Sequence, residues 1–340
     1  MKKLQIKCPD SHLSQEERTK EIINTEFLGW VRSKPFRELL HLFLSEGEEA
    51  PEPANKEYLF WLQSKVAENW DFRKRQREAK TSEGEAARWL LRNTEFVEVH
   101  QEEIWDASRE LGLIEVAPPI LHEADYILPL GGARMSNLRR PQLAYRTAKM
   151  LSPQKGIVAL SALRPIADSE RAGYMDVYAP EAETEFDAIS KGMELAFQLH
   201  MGYSDSSKDN ENSNLCSVVR KYHTGDPGVP IYVVAAPSTD PDRRANSGDC
   251  FAFFFRSFDV KSGDKLICCT SQIYCTYQQV KALPYAVRYN VEIDTIGYPA
   301  YLNVPDGGDG RKNYPEAVNC LQEIKATVDA MCEFVKEYGE

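Results

Sequence analysis

No apolar run in this chain approaches the roughly 20 residues that a membrane-spanning helix needs, so no membrane partner is expected. The segment Met1–Cys8 carries lysines but no apolar stretch, which argues against a secretory leader. Eight cysteines are present, at 8, 216, 250, 268, 269, 275, 320 and 332, yet none forms a CxxC pair. Free thiols in a reducing, cytosolic setting are the expectation, not disulfides or a zinc knuckle. An HExxH pair is missing too, and the six histidines are scattered, so a zinc enzyme is not expected. Without a GxSxG elbow, neither Ser161 nor Ser271 has a visible histidine base. Basic residues are outnumbered, 41 Lys and Arg against 52 Asp and Glu, a net charge of −11. An acidic chain is a poor match for a nucleic-acid backbone but can still bind a small anion through a few local donors.

The 42% hydrophobic content supports a sizeable core. Residues 12–112 read as helices. Ser14 precedes acids at Glu16 and Glu17, Pro35 suits the first turn of a second helix, and Gly112 suits a helix end. The acidic, Pro-rich Glu46–Ala54 reads as a loop, and the basic run Arg73–Arg77 as a solvated face. Tryptophans at 30, 61, 70, 89 and 105 need a partner surface, so this extension is expected to pack on the rest of the chain.

After Pro118-Pro119 the pattern changes. Short apolar runs at Tyr126–Leu130, Gly156–Ser161, Ile231–Ala236, Lys265–Thr270 and Val291–Ile296 alternate with helical stretches. Continuous apolar strands between helices predict an α/β fold with a parallel sheet covered on both faces. The expected architecture is a Rossmann-like three-layer sandwich with a mainly parallel five-stranded sheet over 121–340, plus an N-terminal helical extension over 1–120. Gly202–Asn214 is polar and predicts a mobile loop; Asp306–Gly310 predicts a flexible turn. The last helix, Tyr314–Tyr338, presents Leu321, Ile324, Val328, Met331 and Val335 at helical spacing and is expected to dock on the core.

Ligands of open parallel sheets bind beyond the carboxyl ends of the strands, which directs attention to the loops there. The first carries Gly131, Gly132 and Arg134, followed by a helix with Arg139, Arg140 and Arg146; glycines admit a ligand to the backbone, and arginines offer forked donors to phosphate or carboxylate. The second strand ends in Ser161, and Glu185 opens the next helix. The third is followed by Asp240–Asp249, dense in charge, with Arg244, Asn246, Ser247 and Asp249 as candidates. Read blandly, the same stretch is a solvated loop with Asn246 or Ser247 as helix cap. Thr270 and Ser271 close the fourth strand.

Taken together, these loops resemble the ElyC–SanA–YdcF group over about residues 124–300. The matching elements are Leu130-Gly131-Gly132 with Arg146, then Ser161, Glu185, Arg244–Cys250, and Thr270-Ser271. Departures are Ala162 after Ser161, Cys250 in place of an asparagine, and Tyr274 and Gln278 where that group carries His and Arg. The resemblance implies a Rossmann-like fold and, for one member, S-adenosylmethionine binding. The expectation is a cytoplasmic domain that binds a nucleotide-like or phosphorylated small molecule, with hydrolase or transferase chemistry open. Glu185 and Asp249 are the catalytic candidates, and Gly131, Gly132, Arg134, Arg146, Ser161, Arg244, Asn246, Ser247, Thr270 and Ser271 the ligand-binding ones. S-adenosylmethionine or a divalent cation are the conceivable cofactors. The alternative is a non-catalytic ligand sensor or interaction protein.

Overall fold

The computed structural model describes residues 4–44, 51–52, 55–74, 91–224, 228–303 and 315–339. The expected turn at Asp306–Gly310, most of the Glu46–Ala54 loop, Arg75–Arg77 and Trp89 lie outside the described residues. The chain forms two compact units, one of Met1–Ala117, Gln272–Pro284 and Tyr314–Glu340, the other of Pro118–Ser271 and Tyr285–Asn313.

The first unit is helical among its described residues. Helix α1 (Gln15–Glu21) opens on a capping box in which Ser14 and Glu17 satisfy each other's backbone donors. It runs through a π-helical stretch, Ile22–Phe27, into α2 (Leu28–Val31). Pro35 sits in the first turn of α3 (Lys34–His41), where its missing N–H costs nothing. Helices α4 (Lys56–Trp70), α5 (Glu95–Val99) and α6 (Gln101–Glu110) come next, and Gly112 stands just past α6 at φ 83°. The core of this unit is aromatic: the Phe27 and Phe334 rings lie 5.4 Å apart, Trp30 and Phe36 5.3 Å, and Phe36 and Trp70 6.2 Å. Phe334 belongs to the last helix (Ala317–Tyr338), whose Leu321, Ile324, Val328, Met331 and Val335 are all buried. That helix packs against α4 and α6.

The second unit is built on a mixed sheet of seven strands, not the five expected. They are β1 (Tyr126–Pro129), β2 (Gly156–Ser161), β3 (Tyr203–Lys208), β4 (Ser217–Tyr222), β5 (Ile231–Ala235), β6 (Lys265–Ser271) and β7 (Glu292–Tyr298). Their order is β3-β4-β5-β2-β1-β6-β7. The five expected strands are all present and pair in parallel. The expected mobile loop is instead β3, which with β4 adds an antiparallel hairpin at one edge. Every residue of β3 is exposed, so it carries none of the apolar signal by which a strand is recognised. It is held by backbone pairing, by a forked Arg220–Asp205 ion pair at 2.8 and 2.9 Å, and by Arg220 stacking on the Tyr203 ring.

Helices cover both faces of the parallel strands. Helices α7 (Ser136–Leu151) and α8 (Glu185–Phe197) pack over Ile127, Ile157, Ala159, Val233 and Ile267. On the other face, α9 (Ser247–Ser257) brings Phe254 to within 5.2 Å of the Tyr126 ring. Burial on both sides is why these strands read as unbroken apolar runs. One further helix, α10 (Cys275–Tyr289), comes after β6, so the Ala317–Tyr338 helix is α11. All eight cysteines are free. No helix among the described residues is long and apolar enough to cross a membrane.

Candidate functional site

At the carboxyl ends of β1, β2, β6 and β7 the second unit gathers a polar cluster. Arg140, on the second turn of α7 and only 2% exposed, is its hub. Its Nη1 donates to the Leu130 carbonyl at 2.9 Å and to the Gly131 carbonyl. Its Nε and Nη2 donate to Ser271 Oγ at 3.4 and 3.2 Å. Ser271 in turn donates to the Tyr298 hydroxyl at 2.9 Å, and Ser136 Oγ lies 3.2 Å from that hydroxyl. Three hydroxyls from β6, β7 and the start of α7 thus meet beneath one guanidinium.

Arg164, three residues past β2, forms the second half of the cluster. Its Nε donates to Glu185 Oε2 at 3.1 Å and its Nη2 to Glu170 Oε2 at 2.9 Å; Nη2 also reaches the Gly132 carbonyl at 3.3 Å. Glu170 is fully buried in a short 3-10 turn, Asp168–Glu170. Burial pushes the Glu185 carboxyl up from its ordinary value, while Arg164 and Arg140 pull it back. For Arg164, burial works against the charge, but Glu170 and Glu185 more than offset it.

The Gly131-Gly132 pair is explained by these neighbours. A Cβ on Gly131 would lie 2.2 Å from Glu185 Oε1, and one on Gly132 would lie 2.9 Å from Arg140 Nη1. Asn137 ties the loop to α7 by accepting from Gly132 N–H at 2.9 Å and donating to its carbonyl at 2.8 Å. Gly131, Gly132, Glu185 and Ser271, all expected at the site, are therefore brought together.

Other expected residues stand elsewhere. Arg146 is exposed, because six residues beyond Arg140 lies about 240° around a helix. Arg134 adopts φ 52°, donates to the Ser169 carbonyl at 3.3 Å and stacks over Tyr174. Ser161 is buried and donates to the Val234 carbonyl at 2.8 Å. Thr270 is buried on the next position to Ser271, and its hydroxyl has no hydrogen-bond partner among the described residues. Ser247 is the half-buried first residue of α9.

The charged loop before α9 resolves into a helix start. Asn246 is the N-cap, accepting from Gly248 and Asp249 N–H, and Asp249 completes the capping box. Asp249 also accepts from Thr239 N–H at 3.0 Å and Thr239 Oγ1 at 2.6 Å. It is Arg243, not Arg244, that grips it: Arg243 Nη1 reaches Oδ2 and Nη2 reaches Oδ1 at 3.2 Å. Burial alone would raise the Asp249 carboxyl, but Arg243, Thr239 and the Asn246 N–H hold it down at about 2. Arg244 has an exposed side chain. Behind this loop, the Cys250 thiol donates to the Ser161 carbonyl at 3.4 Å and is pushed well above its ordinary range by burial, so it is a poor nucleophile.

Arg140, noted in its helix but passed over for Arg146, was not among the expected site residues, and neither were Arg164, Glu170, Ser136, Asn137 and Tyr298. Helical spacing could have found the first: Arg140 is four residues from Ser136 and so shares its face, at the start of the helix after the Gly-Gly loop. Among the described residues, no group of three or more His, Cys, Asp or Glu could hold a metal ion.

The class defined by these features is an α/β protein with a mixed sheet, a polar cluster at the carboxyl ends of its parallel strands, and a separate helical unit. Comparison with known proteins sharpens this. Residues 14–112 match the model of the Rv3785 N-terminal domain. The chain is 31% identical over 283 residues to the "Uncharacterized protein Rv3785" of Mycobacterium tuberculosis strain H37Rv, covering 78% of this chain and 77% of that protein. The "Uncharacterized protein Mb3814" of Mycobacterium bovis matches to the same extent. The chain belongs to the Rv3785 family. No solved structure matches it.

This membership overturns the resemblance to the ElyC–SanA–YdcF group, and the expectation of S-adenosylmethionine that came with it is dropped. The matched motifs were ones that strand-helix units tend to share: glycines after a strand, hydroxyls at strand ends, an acid in a first helical turn. Such features recur wherever a chain turns from strand to helix and do not carry ancestry.

Proposed function

We propose that the α/β unit binds a small phosphorylated or nucleotide-like molecule at the carboxyl ends of β1, β2 and β6. Set apart from the β3–β4 hairpin, the parallel strands run β5-β2-β1-β6-β7, a doubly wound, Rossmann-like order whose direction of winding reverses between β1 and β6. That reversal is where such sheets open a crevice for ligands. The carrying observation is that Arg140 and Ser271 bridge this point while Arg164 and Glu185 flank it. Arg140 brings a guanidinium to this point, and Arg164 brings a second that Glu170 and Glu185 already pair. Glu185, its carboxyl raised by burial, is suited to accept or return a proton in hydrolase or transferase chemistry. Eight free cysteines suit a reducing cytoplasm.

A thermal-shift series on the full chain with inorganic phosphate, pyrophosphate, ADP and ribose 5-phosphate tests this. A ligand at a hundred times its Kd should stabilise the native state by about 2.7 kcal/mol. No rise in melting temperature with any of them at millimolar concentration would overturn the proposal. A second reading, a non-catalytic interaction protein, is favoured by one observation: Arg164 is already paired with Glu170 and Glu185, and Asp249 with Arg243. It predicts that same flat screen.

A further inference from the structure

The Glu185 carboxylate is held by one of its two oxygens. Arg164 Nε donates to Oε2, while among the described residues Oε1 receives no hydrogen bond. Oε1 stands against Gly131, whose missing side chain is what allows the approach. The Glu185 side chain is 14% exposed, and Oε1 is not one of the fully buried side-chain oxygens that lack a partner, so it keeps access to the outside. Neither neighbouring arginine supplies it with a donor. Arg164 spends its remaining nitrogens on Glu170 and the carbonyls of Pro165 and Gly132. Arg140 directs Nη1 to the Leu130 and Gly131 carbonyls and Nε and Nη2 to Ser271.

A carboxylate oxygen with no donor from the protein is free to accept one from a ligand, and a hydrogen bond to a charged group is stronger than a neutral one. The electrostatics decide which donor. A phosphate oxygen brings negative charge and no proton, so it is repelled from Oε1. An ammonium is disfavoured by the two guanidinium groups that already act on Glu185. A neutral hydroxyl satisfies the oxygen without either penalty.

We propose that Glu185 Oε1 accepts a hydrogen bond from a ligand hydroxyl, so that the site takes a sugar or polyol phosphate in preference to a bare or alkyl phosphate. The proposal rests on the phosphate reading of the site and adds the chemistry of the ligand's uncharged part.

Calorimetry on the full chain with ribose 5-phosphate, n-pentyl phosphate and inorganic phosphate tests it. Wild type should bind ribose 5-phosphate roughly ten-fold or more tighter than n-pentyl phosphate, the scale of one hydrogen bond to a charged group. Glu185→Gln replaces the charged acceptor by a neutral amide and frees Arg164 of one partner, so it should shift the affinity of both organic phosphates and cut the preference between them to about three-fold or less. Equal binding of the two organic phosphates to wild type would overturn the proposal, with no variant needed. So would a Glu185→Gln protein that keeps the preference, or one that loses all three ligands alike, which marks Glu185 as structural. If none of the three binds wild type, it is the phosphate reading that fails, and this proposal goes with it.

Discussion

Asp249 was a catalytic candidate, and its surroundings make it a stabilising group whose loss should be measurable by pH. The carboxylate is 4% exposed and receives hydrogen bonds from Arg243, Thr239 and the Asn246 N–H. Its folded value of about 2 lies below the ordinary 3.8 of an aspartate. A depressed carboxyl contributes stability that is fully present above about pH 4 and is lost as the pH falls through 4 towards 2. At about 1.36 kcal/mol per tenfold, the depression sets a ceiling near 2.5 kcal/mol. The Arg243 side chain is 38% exposed, so solvent screens that pair and brings the expected share to about 1–1.5 kcal/mol. Asp249→Asn should therefore lower the unfolding free energy at pH 7 by about 1.5–3 kcal/mol, since it also weakens the capping box. The gap between wild type and variant should narrow by about 1 kcal/mol between pH 5 and pH 2. Urea titrations at each pH, with unchanged slope, would read this directly. A variant as stable as wild type at pH 7, or a gap independent of pH, would refute the reasoning.

Replacing Arg140 by Met strands the Leu130 and Gly131 carbonyls and Ser271, and should cost about 3 kcal/mol or more; Arg146→Met, on the exposed face of the same helix, should stay within about 0.5 kcal/mol. Paired urea midpoints check both, and similar losses would deny Arg140 its role. A Cβ on Gly192 would lie 1.8 Å from the Asn137 carbonyl oxygen, so Gly192→Ala must push α8 away from α7 and should cost about 1–3 kcal/mol; an unchanged melting temperature would show that these helices part freely. Arg243→Lys should weaken the hold on Asp249 and lower stability more than Arg244→Lys does, because lysine cannot reproduce the forked pairing; equal melting temperatures for the two variants would contradict that placement.

Local rules made much of this chain legible. Apolar runs bounded by turns marked all five parallel strands, because strands buried on both faces must be apolar throughout. Ser14, Pro35 and Gly112 marked helix boundaries because the backbone donors and dihedrals there depend on a few neighbouring residues. Gly131, Gly132, Glu185 and Ser271 were legible because each stands at a strand end, or in the first loop or helical turn beyond one, where parallel sheets place their ligands. The β3–β4 hairpin was invisible because an exposed strand is stabilised by its partner's backbone and by Arg220, not by its own apolar content. The choice of Arg243 over Arg244 and of Arg140 over Arg146 needed side-chain direction, which turns by about 100° per helical residue and is irregular in a loop. The buried Arg164–Glu170–Glu185 network joins residues that are separate in sequence and share no periodic pattern. Only tertiary packing buries them, and that burial is what raises the Glu185 carboxyl.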